Sequence, residues 1–76
     1  MKRYRNLAGD SGVRAYDIGA GSITVRFDNG ATYVYTEQST GRDHVAEMQR
    51  LAETGRGLSS YISREVGDRY ARRLDT

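Results

Sequence analysis

The chain predicts a small α+β domain: a three-stranded antiparallel sheet followed by two helices packed on one face, in the order β-β-β-α-α. Three observations carry this. Ile23, Val25 and Phe27 alternate with Thr24 and Arg26, the period of a half-buried strand. Asp28-Asn29-Gly30 follows at once, and Asn-Gly is the strongest short-range hairpin signal because both residues tolerate positive φ. Beyond the tyrosine-rich run Thr32–Thr36 the apolar period changes from two to between three and four.

The first strand is expected over Val13–Ile18, a β-prone run ended by Gly19-Ala20-Gly21. Ser22–Phe27 and Thr32–Thr36 form the hairpin, the latter built from β-branched and aromatic residues. Val45, Met48, Leu51 and Ala52 then make one apolar stripe at helical spacing. Thr40 is the expected N-cap of that helix, with Asp43 three residues on, and Gly55 its C-terminal stop. A second stripe of Leu58, Tyr61, Ile62, Val66, Tyr70 and Leu74 predicts a longer last helix, weakened in its middle by Gly67. Residues 1–10 read as a basic N-terminal segment and residues 11–74 as one domain.

The hairpin admits two registers, and a one-residue slip exchanges a strand's faces. With a two-residue turn at Asn29-Gly30, Arg26 sits opposite Tyr33. Tyr33 and Tyr35 then share an open face with that arginine, a stacking platform for single-stranded nucleic acid. With a three-residue loop Asp28-Asn29-Gly30, Phe27 pairs with Ala31, Val25 with Tyr33 and Ile23 with Tyr35. Both tyrosines then lie under the helices. Large apolar residues are scarce, and excluding both rings would leave the inner face poorly filled, which favours the buried register.

A chain of 76 residues allows a single domain. At this size about 60% of the unfolded surface is buried, so the core is thin. Apolar residues make up 37% of the chain, and six tyrosines offset that low share by packing a ring while keeping a hydroxyl wet. With no cysteine, neither disulfides nor thiolate metal sites enter the fold. No run approaches the roughly 20 apolar residues that span a bilayer, and the basic start Met1–Arg5 lacks the apolar segment of a signal peptide. A cytoplasmic location is the expectation.

Eleven of the twelve basic residues are arginine, a side chain that forks onto phosphates and stacks on bases. The net charge is only +2, and residues 1–36 carry five basic against three acidic side chains, whereas residues 37–76 are balanced. Any basic patch therefore belongs to the sheet half. Arg3, Arg5, Arg14 and Arg26 are its candidate phosphate contacts, with Tyr16, Tyr33 and Tyr35 the candidate stacking residues.

Tyr16-Asp17, then Ile23-x-Val25-x-Phe27-x-x-Gly30-x-x-Tyr33-x-Tyr35, then Gly55-x-Gly57-Leu58-Ser59-x-x-Ile62, resembles the KTSC domain. That short module occurs alone in bacterial and phage proteins and at the C-terminus of some lysyl-tRNA synthetases. The resemblance runs over roughly residues 11–70. It departs from the family at the helix entry, where this chain has no proline, and at Leu58-Ser59, where the family has Phe-Asn. The resemblance implies the α+β fold, and its synthetase context implies RNA as a partner.

Signs of enzyme chemistry are absent from the pattern. His44 is the only histidine and reads as a solvent-exposed helix residue, since the adjacent Asp43 points elsewhere on the helix. Asp10, Asp17 and Asp28 flank turns and match no calcium loop. Gly55-Arg56-Gly57 reads as a helix–helix turn rather than a phosphate loop, lacking the length and lysine of one. Arg64, Arg69, Arg72 and Arg73 alternate with Glu65 and Asp68, and the Glu65–Arg69 and Asp68–Arg72 spacings read as ion pairs along a solvated helix face.

The functional expectation is a small non-enzymatic binding module with no cofactor. Its partner is either RNA or a protein, the latter a larger host complex on which a phage or accessory protein docks. It is a monomer or a weak dimer through the Val13–Ile18 edge.

Overall fold

The computed structural model of the protein describes residues 1–74. Five strands form one antiparallel sheet in chain order: β1 (Lys2–Arg3), β2 (Val13–Gly19), β3 (Ser22–Phe27), β4 (Thr32–Thr36) and β5 (Arg72–Leu74). Helices α1 (Glu37–Thr40), α2 (Arg42–Thr54) and α3 (Leu58–Tyr61) lie between β4 and β5, and a π-helical turn, Ile62–Val66, extends α3. The α+β class is as expected. The sheet has five strands rather than three, the two additions coming from opposite ends of the described chain.

The β3–β4 hairpin adopts the three-residue loop. Ile23 lies opposite Tyr35, Val25 opposite Tyr33 and Arg26 opposite Thr32. The Phe27 amide donates to the Ala31 carbonyl at 2.8 Å, and Gly30, at φ 89°, donates to the Phe27 carbonyl at 3.0 Å. Asn29 Oδ1 accepts from the Ala31 amide at 2.9 Å, which fixes the loop by a local side-chain turn. Glycine is the residue that enters this left-handed position without strain. The loop thus turns Tyr33 and Tyr35 towards the helices.

A β-bulge sets the register of β2. Val13 pairs with Phe27 and Ala15 with Arg26, leaving Arg14 as the extra residue. Val13 and Tyr16 lie an odd number of positions apart, yet the bulge lets both face the core.

Lys2–Arg3 pairs with Tyr16 and Ala15, and the Tyr4 amide donates to the Arg14 carbonyl at 2.9 Å. Tyr4 is buried, and its Oη accepts a 3.3 Å hydrogen bond from the Leu58 amide. The basic N-terminal segment is therefore built into the sheet and the core, and it covers part of the β2 edge expected to lie open.

The helices differ from expectation at their ends. Thr36 caps α1 through a reciprocal pair with Ser39: the Ser39 amide donates to Thr36 Oγ1 and the Thr36 amide to Ser39 Oγ, each at 3.1 Å. Thr40, expected to cap the following helix, instead closes α1. Its hydroxyl donates to the Arg69 carbonyl at 2.6 Å, and Gly41 starts α2. Along α2, Val45, Met48 and Ala52 are buried as their spacing requires, and Gly55 ends the helix at φ 78°. A Cβ at Gly55 would stand 2.8 Å from the Cβ of Arg5, so close approach of the N-terminal segment also demands glycine there.

The long last helix does not form. Leu58, Ile62 and Val66 are buried as expected. The Gly67 amide then donates five residues back to the Ile62 carbonyl at 2.7 Å, and Gly67 takes φ 59° and ψ −125°, outside any helix. The chain reverses, and the Ala71 amide bonds the Val34 carbonyl at 2.7 Å, delivering β5 to the free edge of β4. Glu65–Arg69 and Asp68–Arg72 are accordingly not pairs on one helix face.

The core lies between the helices and one sheet face, and holds Tyr4, Val13, Tyr16, Ile23, Val25, Tyr35, Met48, Ala52, Leu58, Ile62 and Val66. Gln49 ties α2 to the β2–β3 turn by donating to the carbonyls of Ser22 (2.8 Å) and Gly19 (3.2 Å). No helix among the described residues is long and apolar enough to cross a membrane.

Candidate nucleic-acid interface

Strand register sorts the candidate residues into two groups. Arg3, Ala15, Arg26, Thr32 and Leu74 form a row straight across the sheet on the side away from the helices. Asp17, Thr24, Val34 and Arg72 form the next row on that side. Helices α2 and α3 and the π-helical turn lie over the opposite face, where their buried residues Met48, Ala52, Leu58, Ile62 and Val66 join the core.

The arginines converge. Arg3, Arg14 and Arg26 line a depression of 440 Å³ together with Met1, Ala15, Phe27, Asp28 and Gly30. The bulge supplies Arg14 to this depression while keeping Val13 and Tyr16 in the core. A second depression, of 380 Å³, shares Arg3, Arg14 and Asp28 and adds Arg5, Asn6 and Ser11. The guanidinium of Arg5 is already engaged, donating to the carbonyl of Glu53 at the end of α2.

Those of Arg3, Arg14 and Arg26 make no hydrogen bond or ion pair among the described residues and are exposed. Arg50 shows the contrast. It forks onto Glu47 from Nε at 2.9 Å and from its terminal nitrogen, and that bond draws the Glu47 carboxyl below its ordinary pKa.

The tyrosines do not join this site. Tyr16 (6% exposed) and Tyr35 (2% exposed) are core residues. Tyr33 is half-buried on the same helix-covered side, edge-to-face with Phe27 at 5.8 Å and tilted against Tyr70 at 4.6 Å between centroids. Arg73 stands over its ring at 5.6 Å. Burial, and then proximity to Tyr33 and Tyr70, pushes the Tyr35 hydroxyl up to about 12. None of the three rings is placed to stack a base beside Arg26.

Three placements were not foreseen. Asp28 sets a carboxylate in both arginine-lined depressions. Arg72 reaches the arginine-bearing face because residues 72–74 form a strand, too short for any periodicity to reveal. His44, expected in open solvent, is half-buried with Nδ1 2.6 Å from Tyr61 Oη. Burial raises the pKa of that Tyr61 hydroxyl, with Glu47, Glu65 and Asp43 adding to the effect. Compared with known proteins, the chain matches no family model, no curated protein and no solved structure.

Proposed function

We propose that the domain is a nucleic-acid-binding module that holds phosphates on the open face of its sheet. One observation carries the reading: Arg3, Arg14 and Arg26, none with a partner among the described residues, line a single depression on the face opposite the one that α2 and α3 cover. Guanidinium groups fork onto phosphate oxygens, and an unpaired one gives up no internal contact when it does so. Arg72, in the next row, extends the charge across the sheet. The resemblance of Tyr33-Val34-Tyr35 and its neighbours to the KTSC domain, a module also found at the end of some lysyl-tRNA synthetases, favours nucleic acid as the partner.

Net charge of +2 limits the strength of such binding. Three phosphate contacts give a slope of log affinity against log salt of about −2.7, or about a 40-fold loss between 50 and 200 mM salt. Fluorescence anisotropy of a labelled 20-nucleotide probe across that range measures it. The expected result is a steep loss that flattens in the triple variant Arg3→Ala, Arg14→Ala, Arg26→Ala. Binding indifferent to salt overturns the reading. A lysate partner that stays bound after nuclease treatment, and is lost in the same triple variant, would replace nucleic acid with protein at this face.

A further inference from the structure

We infer, building on the phosphate-binding reading, that the ligand is a base-paired duplex gripped by its backbones rather than a single strand held by stacking. The chemistry of the open face points this way. Between its arginines stand Ala15, Thr24, Thr32 and Val34, and no register position of that face carries an aromatic ring. Single-strand binders draw about 1–3 kcal/mol per base from stacking on aromatic rings, and this face carries no ring, leaving only guanidiniums to stack, which are also its phosphate contacts.

The rings are committed elsewhere. Tyr4, Tyr16 and Tyr35 are buried. Phe27 borders the depression, but its ring meets Tyr33 edge-to-face on the helix-covered side. Tyr61 lies against His44 on the helical layer. Exposing any of the three buried rings to a base would open the core that holds the sheet to its helices.

Spacing agrees with a duplex. Arg3 and Arg26 are separated by one intervening strand, and Arg26 and Arg72 by another. At about 4.8 Å per strand these intervals are each about 10 Å or somewhat more, so the charges extend about 20 Å across the sheet. That span exceeds the roughly 12 Å major-groove width of B-form DNA and lets the two flanks of the row contact backbones on opposite sides of a groove. A single strand following one flank would leave the other unused. The side chains between the arginines are too short to enter a groove and read base edges, so with the guanidiniums engaged on the two backbones recognition is independent of sequence.

RNA and DNA duplexes share this backbone chemistry, and the test separates them. Anisotropy titrations at 50 mM salt would use one 20-base-pair sequence as duplex RNA and duplex DNA, and its labelled strand alone in each chemistry. The expected result is at least fivefold tighter binding of one or both duplexes than of the corresponding single strand, unchanged when the sequence is scrambled. The tighter of the two duplexes identifies the ligand. Arg26→Ala should lower duplex affinity several-fold and reduce the salt slope by about 0.9, with circular dichroism checking that the fold is intact. Single strands binding as tightly as duplexes overturn the duplex inference and leave the phosphate-binding reading standing. No binding to any of the four probes overturns both.

Discussion

The two faces of the sheet are made by the same strands, sometimes by adjacent residues, and their chemistries are opposed. Val25 and Tyr35 stand on the helix-covered side and are almost fully buried, whereas Arg26, next in sequence to Val25, is exposed and free of partners among the described residues. The covered face gathers Tyr16, Tyr33 and Tyr35, and the open face gathers Arg3, Arg14 and Arg26. The separation depends on two single-residue events, the three-residue loop ending at Gly30 and the bulge at Arg14. In a strand, function is assigned by parity. One residue more or less in a loop decides whether a ring is core or surface.

The largest effect that can break this comparison is on stability. Tyr35→Ala removes a ring that is 2% exposed and should cost about 3–5 kcal/mol, the range for truncating a buried aromatic. Arg26→Ala, on the other face of the paired strand, should fall within about 0.5 kcal/mol of the parent. Urea unfolding of the two variants provides the contrast. A Tyr35→Ala change as mild as Arg26→Ala would mean that the tyrosine face is not the core.

A smaller effect comes from proton linkage at the same residue. The Tyr35 hydroxyl is pushed up to about 12, first by burial and then by Tyr33 and Tyr70, against about 10 in an unfolded chain. Its neutral form is thus favoured by folding. That contribution is complete below pH 10 and is lost as pH rises from 10 to 12, roughly 1–2 kcal/mol after allowance for solvent screening. The urea midpoint should be flat between pH 8 and 9.5 and then fall, more steeply in the parent than in Tyr35→Phe. Equal slopes in the two proteins would show that Tyr35 ionises as freely folded as unfolded.

How much of this was legible follows from the length of each signal. The β3–β4 pair is long enough for alternation to show, and Asp28-Asn29-Gly30 marks its turn. The sequence left two registers open, and the scarcity of apolar residues inclined the reading to the one observed. The stripes Val45–Ala52 and Leu58–Val66 were readable for the same reason. Two residues at β1 and three at β5 display no period at all, and both are held by pairing with partners distant in sequence. Tyr70 and Leu74 deceived because their fourfold spacing continued the helical stripe past Gly67, where the backbone leaves the helix. Of the site, Arg3, Arg14 and Arg26 were legible as charge on the sheet half. Their meeting in one depression required the bulge, which a non-glycine residue such as Arg14 does not announce.

The smallest effect tests the open face itself. Thr32 shares a row with Arg26 and Leu74, yet it is only 4% exposed, and its Oγ1 has no hydrogen-bond partner among the described residues. A hydroxyl buried without a partner costs about 1–3 kcal/mol of desolvation. Valine keeps the β-branched shape that strands favour and removes the hydroxyl. Thr32→Val should therefore stabilise the domain by about 1 kcal/mol, raising Tm by about 4–8 °C for a domain of this size. It leaves every guanidinium in place, so affinity for the nucleic-acid probe should be unchanged while Tm rises. A lower Tm would mean that the hydroxyl helps to secure β5, and that the open face has a polar interior of its own beneath the arginines.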